Sequence, residues 1–237
     1  MKKIVIVGAL GYLGTELCKI YSGESWRNKI IALDNRFVSE RVSQLNSWNI
    51  EFFQGHILDN DFLKKHLEDA DIVHHLAGVT DVAYVKTEAN SELDERIRSL
   101  AIDGTNNILN NISPNCKIIF PSTHVVFEGY QKAKKNITED DLTKPILMYS
   151  TSKVQNEIDI KNSNKKYVIL RLGSVYGYSS DTMRINIMPN LFSKITSQNG
   201  TIKLFSGGRQ LKSLVNIIDV VRCMKFMEEN EKINNET

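Results

Sequence analysis

The sequence predicts an α/β fold built on a doubly wound parallel sheet, and three observations carry that prediction. Short runs that are apolar at nearly every position recur along the chain, helix-period segments separate them, and a glycine cluster follows directly on the first run. Strands covered on both faces need near-continuous apolar sequence, whereas half-exposed strands alternate. The runs are 3–7, 30–33, 50–53, 72–76, 117–120 and 167–172. Between them, segments 12–22, 59–68 and 92–111 carry apolar residues at helical spacing, the last through Ile97, Leu100, Ala101, Gly104, Ile108 and Leu109. Strands alternating with helices in this way call for a parallel sheet with helices on both faces.

After Gly177 the rhythm loosens into a helix near 189–197, a short strand at 202–205 and a Gly207-Gly208 turn. The expected division is a first domain over 1–177 and a small lobe over 178–237, with allowance for interleaving of the two.

Composition removes several classes of function. The 237 residues are 41% hydrophobic and 24% charged, and 30 Lys plus Arg against 28 Asp plus Glu leave a formal net charge of +2. That balance offers no basic field for a nucleic-acid backbone or an anionic membrane surface. No apolar run approaches a membrane span of about 18 residues. The 3 cysteines, Cys18, Cys116 and Cys223, are far apart and odd in number, so neither a disulfide framework nor a metal cluster is expected. Buried reduced thiols in a cytoplasmic protein are the plain reading.

The glycine cluster, Gly8-Ala-Leu-Gly11-Tyr-Leu-Gly14, sits between the first strand and the first helix. A sharp turn at Gly8, close backbone approach at Gly11 and tight helix packing at Gly14 aim the helix N-terminus at a pyrophosphate. Twenty residues past Gly14, at the end of the second strand, Asp34 is placed to accept hydrogen bonds from a ribose diol. A carboxylate there repels a 2′-phosphate and favours NAD over NADP. Arg36 is a competing signal, because a guanidinium there accommodates that phosphate.

A Tyr-x-x-x-Lys pair occurs twice, as Tyr130/Lys134 and Tyr149/Lys153. The first lies in a polar, loop-like stretch and reads as an accident. The second opens a helix after Pro145, where i,i+4 spacing puts both side chains on one face. Ser122 and Thr123 precede it at the carboxyl end of the fifth strand, where open α/β sheets bind ligands.

At these residues the chain resembles the extended short-chain dehydrogenase/reductases, in particular the NAD-dependent sugar-nucleotide epimerase/dehydratase group with its Rossmann-type sheet. The likeness runs from Lys3 to about Val221. Besides the glycines and Asp34 it includes His75-Leu-Ala-Gly78, Gly104-Thr105, Pro121 through Gly129, Ile137 through Asp140, Tyr149/Lys153, Arg171 through Gly177, and Gln210 through Asp219.

The resemblance implies a hydride-transfer site. Tyr149 would be the general acid/base toward a sugar hydroxyl. Lys153, bonded to the nicotinamide ribose, would lower the phenol pKa by its charge. Thr123 would hold the same hydroxyl, its alternative being a strand-end cap. The N–H groups of Tyr12 and Leu13 would meet the pyrophosphate, Asn35, Arg36, His56 and Ile57 would surround the adenosine, and Leu76, Ala77 and Gly78 would line the cofactor. Thr80, Thr123, His124, Ser174 and Lys212 fall at substrate positions. Relatives commonly dimerise through helices corresponding to 92–111 and 149–161, so a homodimer is expected.

The departures are equally specific. His56 stands where an acid is common, and Ala101 replaces a helix asparagine, which would remove a buried polar brace. Ser174 replaces an asparagine, and Lys212 stands where an arginine grips the substrate phosphates. His124 and Val125 occupy the places where dehydratases carry acids, so epimerisation of a nucleotide sugar is the favoured activity. Dehydration, net redox chemistry and an impaired NAD-binding role are the alternatives. His124 is either a second acid/base or a hydrogen-bonded structural residue. Relatives run on past this chain's last residues, so the substrate lobe is expected to be incomplete.

Overall fold

The computed structural model describes residues 1–24, 26–79, 91–132, 134–179 and 183–237. Its centre is a six-stranded parallel sheet made of β1 (Lys3–Val7), β2 (Lys29–Asp34), β3 (Glu51–Gln54), β4 (Ile72–His75), β5 (Lys117–Thr123) and β6 (Lys166–Leu172). The strand order is β3-β2-β1-β4-β5-β6. The chain therefore winds outward from β1 in one direction, returns to β1's other side and continues to β6. The carboxyl ends of β1 and β4 lie side by side at that reversal, with Val7 paired to His75. A crevice at such a switch point is where ligands bind in sheets of this kind.

The apolar runs form strands because each has a covered layer on both sides. Ile4 and Ile6 join Leu10, Leu17, Tyr21 and Ile30 in one core cluster, whereas Val5 and Val7 join Ile31, Leu33, Val73, Ile118 and Phe120 in the other. The first cluster is covered by α1 (Tyr12–Tyr21) and α8 (Ile217–Glu229), which contributes Val220, Val221 and Met224. The second is covered by α3 (Asn60–Leu67), α5 (Gly104–Asn111) and α6 (Met148–Asn162) through Leu63, Ile108 and Ile160.

The segment expected as one helix over 92–111 has an interruption. It begins as α4 (Ser91–Arg98), widens into a π turn over Ser99–Asp103 and continues as α5. The flanking Arg98 and Gly104 keep right-handed helical angles, so the axis is not broken. Such π turns recur at functional sites.

Four elements escaped sequence reading, α8 among them. Helix α2 (Ser39–Ser47) is polar on most of its surface and buries only Arg41 and Leu45. Beyond the large sheet, β7 (Ser174–Tyr176) and β8 (Leu214–Asn216) form a separate parallel pair, and α8 follows β8 directly. The strand expected over 202–205 is instead a loop entering a 3₁₀ turn at Phe205–Gly208. Leu204 is 58% exposed, so that run has no apolar layer to pack on. Helix α7 (Met188–Ser197) matches its sequence pattern.

Beyond α8 the backbone comes back to the large sheet, where Ile169 donates its N–H to Glu236 O at 2.9 Å. Cys18 and Cys116 are buried as expected, whereas Cys223 is only partly buried. Among the described residues, no helix is long and apolar enough to cross a membrane, and no group of three or more His, Cys, Asp or Glu is placed to hold a metal ion.

Candidate active site

The glycine loop is shaped by close approach of two strand ends. Gly8 has φ +90°, and a Cβ there would lie 2.6 Å from Ala77 N, so both the turn and the proximity of the β4 exit exclude a side chain. Its N–H donates to Leu33 O at 2.7 Å, which ties the loop to β2. A Cβ on Gly14 would lie 2.3 Å from Gly8 O, so glycine lets α1 sit directly on the loop.

Helix α1 then starts at Gly11 with no side-chain cap and no acid in its first turn. Its leading N–H groups, including those of Tyr12 and Leu13, retain the partial positive charge of an uncapped N-terminus. Among the described residues, nothing lies within 4 Å of where a side chain on Gly78, following Leu76 and Ala77, would stand.

Asp34 ends β2 and is only 6% exposed. One carboxylate oxygen accepts the Leu10 N–H at 2.9 Å, and the other accepts the Arg36 backbone N–H at 3.0 Å. Arg36 also turns its guanidinium onto Asp34, at 3.2 Å from Nε, so the competing cation is engaged by the acid. An uncapped helix N-terminus beside a bound carboxylate fits a dinucleotide: pyrophosphate on the N–H groups, ribose diol on Asp34. Asn35 is exposed and its carbonyl accepts from Gln54 at 3.2 Å. His56 turns inward on its own loop, accepting the Leu58 N–H at 3.2 Å, and Ile57 O accepts from Asn107 at 3.2 Å.

The chemical end lies at the tip of β5. That strand continues past Phe120 to Thr123, which is 9% exposed. Thr123 accepts the Val125 N–H at 3.3 Å, so it does cap the following 3₁₀ turn (His124–Phe127). The Tyr149 phenol lies within reach of the Thr123 hydroxyl, which helps to lower its pKa. Tyr149 and Lys153 share one face of α6, and Lys153 Nζ donates to Pro121 O at 2.9 Å while standing 4.2 Å from the Phe120 ring centroid.

Burial raises the Tyr149 pKa, and the charge of Arg184 and the Thr123 hydroxyl oppose that rise. The lowering influences are thus Arg184 and Thr123, where the resemblance pointed to Lys153. Burial also brings the Lys153 ammonium down to about 8, with Glu157 resisting. Burial thus moves the phenol away from neutral pH and the lysine toward it, so in the free protein Lys153 is the member of the pair whose proton is the more readily lost.

The start of α6 is held from outside the helix. Its N-cap position, Leu147, offers no side-chain cap. Glu128 supplies one instead, accepting the N–H groups of Ile146 and Leu147 at 2.9 Å each and the Ser150 hydroxyl. Behind Lys153, buried Glu157 receives the Ser122 hydroxyl and the Arg171 guanidinium, the latter at 2.7 Å. Asn156 has one amide orientation that satisfies its surroundings. Its nitrogen donates to Ala101 O at 3.0 Å and Ser152 O at 3.2 Å, and its oxygen accepts from Thr105 Oγ1 at 3.2 Å. Ala101, which carries no polar side chain, is thus tied to α6 through its backbone carbonyl by Asn156.

The remaining predicted residues divide. His124 bonds Leu172 O through Nδ1 at 3.0 Å, a structural hydrogen bond. Ser174 lies on β7 opposite Leu214, which brings it near exposed Lys212, two residues upstream of that partner. Thr80 falls outside the described residues. Tyr130 and Lys134 sit apart from this group, with Tyr130 donating to Leu142 O at 2.8 Å and Lys134 paired with Asp141.

Sequence reasoning missed Glu128, Asn156 and Arg184. The first two sit inside or beside recognised motifs, but their partners are distant in sequence. Arg184 stands in an irregular segment that carries no pattern at all.

The chain matches the NAD dependent epimerase/dehydratase family over residues 4–237. It is 25% identical over 258 residues to dTDP-D-glucose 4,6-dehydratase of Dictyostelium discoideum, covering 99% of this chain and 57% of that protein. To UDP-glucose 4-epimerase of Mycoplasma genitalium it is 23% identical over 262 residues, covering 99% of this chain and 75% of that one. Among solved structures it is similar to UDP-glucuronic acid 4-epimerase of Bacillus cereus in complex with UDP-glucuronic acid and NAD. There the TM-score is 0.82 and the identity 25%, covering 99% of this chain and 76% of that chain. The chain thus spans little more than half the length of the Dictyostelium protein. With a matching six-stranded sheet, glycine loop and family pattern along nearly its whole length, this chain belongs to the NAD dependent epimerase/dehydratase family, and NAD is its cofactor.

Proposed function

We propose that the protein is an NAD-dependent nucleotide-sugar epimerase that works by transient hydride transfer. The observation that carries this reading is the grouping of Tyr149, Thr123 and Lys153 at the carboxyl end of β5. NAD, when bound, would take a hydride from the sugar ring and return it to the other face. Tyr149 removes the proton of the sugar hydroxyl as its carbon is oxidised and gives it back on reduction. Thr123 orients that hydroxyl, and Lys153 holds a positive charge behind the tyrosine and reaches the nicotinamide ribose. Ser174, His124 and Lys212 face the sugar nucleotide, with Thr80 as a further contact.

Elimination needs an acid next to the tyrosine. The first one after Thr123 is Glu128, and its carboxylate is occupied by the N–H groups that start α6. This favours epimerisation over dehydration. We further place the protein in the cytoplasm, a reading supported by its free thiols, as a homodimer joined through 92–111 and 149–161, which rests on the family resemblance alone.

The test is to denature purified protein, identify the released dinucleotide and screen a panel of nucleotide sugars for conversion. An epimerase converts substrate with no net NADH change. Stoichiometric consumption of reduced cofactor, or loss of water from the product, would replace this reading with the corresponding alternative.

A further inference from the structure

His75 ends β4 directly before the residues that line the cofactor, and it is 1% exposed. Its Nε2 lies 2.9 Å from Thr105 Oγ1. Among the described residues, its Nδ1 is buried and has no hydrogen-bond partner. Thr105, itself fully buried, is in turn bonded to Asn156. Three elements that build the site are thereby joined: β4, the helix containing the π turn, and α6 with Tyr149 and Lys153.

The protons in this chain of contacts are determined by elimination. The Asn156 nitrogen faces two carbonyls, Ala101 O and Ser152 O, and only an NH₂ group satisfies both. Its carbonyl oxygen must then face Thr105, and a carbonyl cannot donate. The Thr105 proton is therefore given to Asn156, leaving the hydroxyl oxygen to accept from His75. An acceptor opposite Nε2 requires the proton on Nε2.

We infer that Asn156 is a positioning residue, which pins α6 to the π turn and, through Thr105, fixes His75 as the Nε2–H tautomer with a bare Nδ1. The inference deepens the proposed epimerase reading and, for its catalytic consequence, rests on it. Burial, followed by the charge of Lys153, holds the His75 pKa down at about 3, so the ring stays neutral beside the catalytic lysine. A second positive charge there would drive the Lys153 proton off. The position of Asn156 also sets where α6 meets the β4 exit, and small displacements of reacting groups cost rate more than affinity.

The decisive measurement is a long-range proton–nitrogen NMR spectrum of histidine-labelled protein, with the 5 histidines assigned by single substitution. His75 should show the Nε2–H pattern and remain neutral down to about pH 5. Thr105→Val and Asn156→Ala should convert that signal to a tautomer mixture. In turnover, Asn156→Ala should lower kcat by about tenfold or more with KM nearly unchanged. An Nδ1–H pattern in the unaltered protein, or an unchanged His75 signal in both variants, would overturn the inference. So would a raised KM with kcat retained. The spectrum needs no substrate, so a failure to epimerise any nucleotide sugar would sink the proposed function and leave the His75 result standing.

Discussion

His74 and His75 are consecutive residues of one strand, yet they enter opposite layers of the protein and meet different chemistry. Alternation along β4 sends His74 toward α1 and α8 and His75 toward α5 and α6. On the first side, His74 Nε2 lies 2.8 Å from the Glu228 carboxylate, which also receives the Tyr21 hydroxyl and, at 2.9 Å, the Lys225 ammonium. On the second, His75 hydrogen-bonds into the neutral Thr105–Asn156 relay. A buried ionic cluster fastens α8 to the sheet, whereas a neutral network leads to the active site. The same residue type thus serves anchoring in one layer and positioning in the other. What decides is whether the facing helix sets a carboxylate against the ring.

The largest effect that tests this contrast is on the anchoring side. Glu228→Ala removes the buried carboxylate shared by three groups, leaving Lys225 to Glu24 and Glu229 and His74 and Tyr21 to each other, and should cost about 2–3 kcal/mol in urea unfolding. Turnover at a temperature where the variant is folded should be unaltered. If activity falls with stability while the variant remains folded, the two clusters are not independent.

Acid should expose the same anchor. Burial pushes the Glu228 carboxyl up, but hydrogen bonds from His74, Tyr21 and Lys225 outweigh it and hold the pKa at about 2. A depressed carboxyl contributes stability that is present above the unfolded value near 4.5 and is lost as pH falls through the folded value near 2. The loss should be about 3 kcal/mol over that window, read by urea titration at each pH. Glu228→Gln should show a flatter acid limb.

On the positioning side, Tyr149→Phe should cut turnover by at least about a hundredfold, the scale of acid/base catalysis. Its unfolding midpoint should barely move, the reverse of the Glu228 variant. Near-normal activity would remove Tyr149 from the mechanism.

A smaller, pH-dependent effect belongs to Lys153. With its pKa lowered to about 8, the free protein loses this charge as pH rises through that value. NAD affinity, measured by calorimetry, should weaken above about pH 8, and Lys153→Met should flatten the dependence while binding less tightly throughout. The smallest effect is expected for Tyr130→Phe, in the second pair away from the site. Its stability should stay within about 0.5 kcal/mol, with unchanged turnover.

Much of the site is legible along the chain because its signals are local. Gly8, Gly11 and Gly14 serve one turn, and Tyr149 and Lys153 lie one helical turn apart, so spacing alone carries their geometry. Glu128 is different: it reads as a loop acid until Ile146, Leu147 and Ser150 fold against it. The 202–205 run illustrates the opposite error, since an apolar period without a covering layer does not make a strand.

Sequence by itself determined the succession of sheet strands, most of the helices between them and the place of the glycine loop, because these follow from local periodicity and steric need. Tertiary structure alone decided that Arg36 turns onto Asp34, that Arg184 acts on Tyr149, and that Asn156 on α6 reaches the Ala101 carbonyl and Thr105. A hydrogen bond or charge interaction depends on distance and orientation in space. No spacing along the sequence encodes either before the sheet brings its strand ends together.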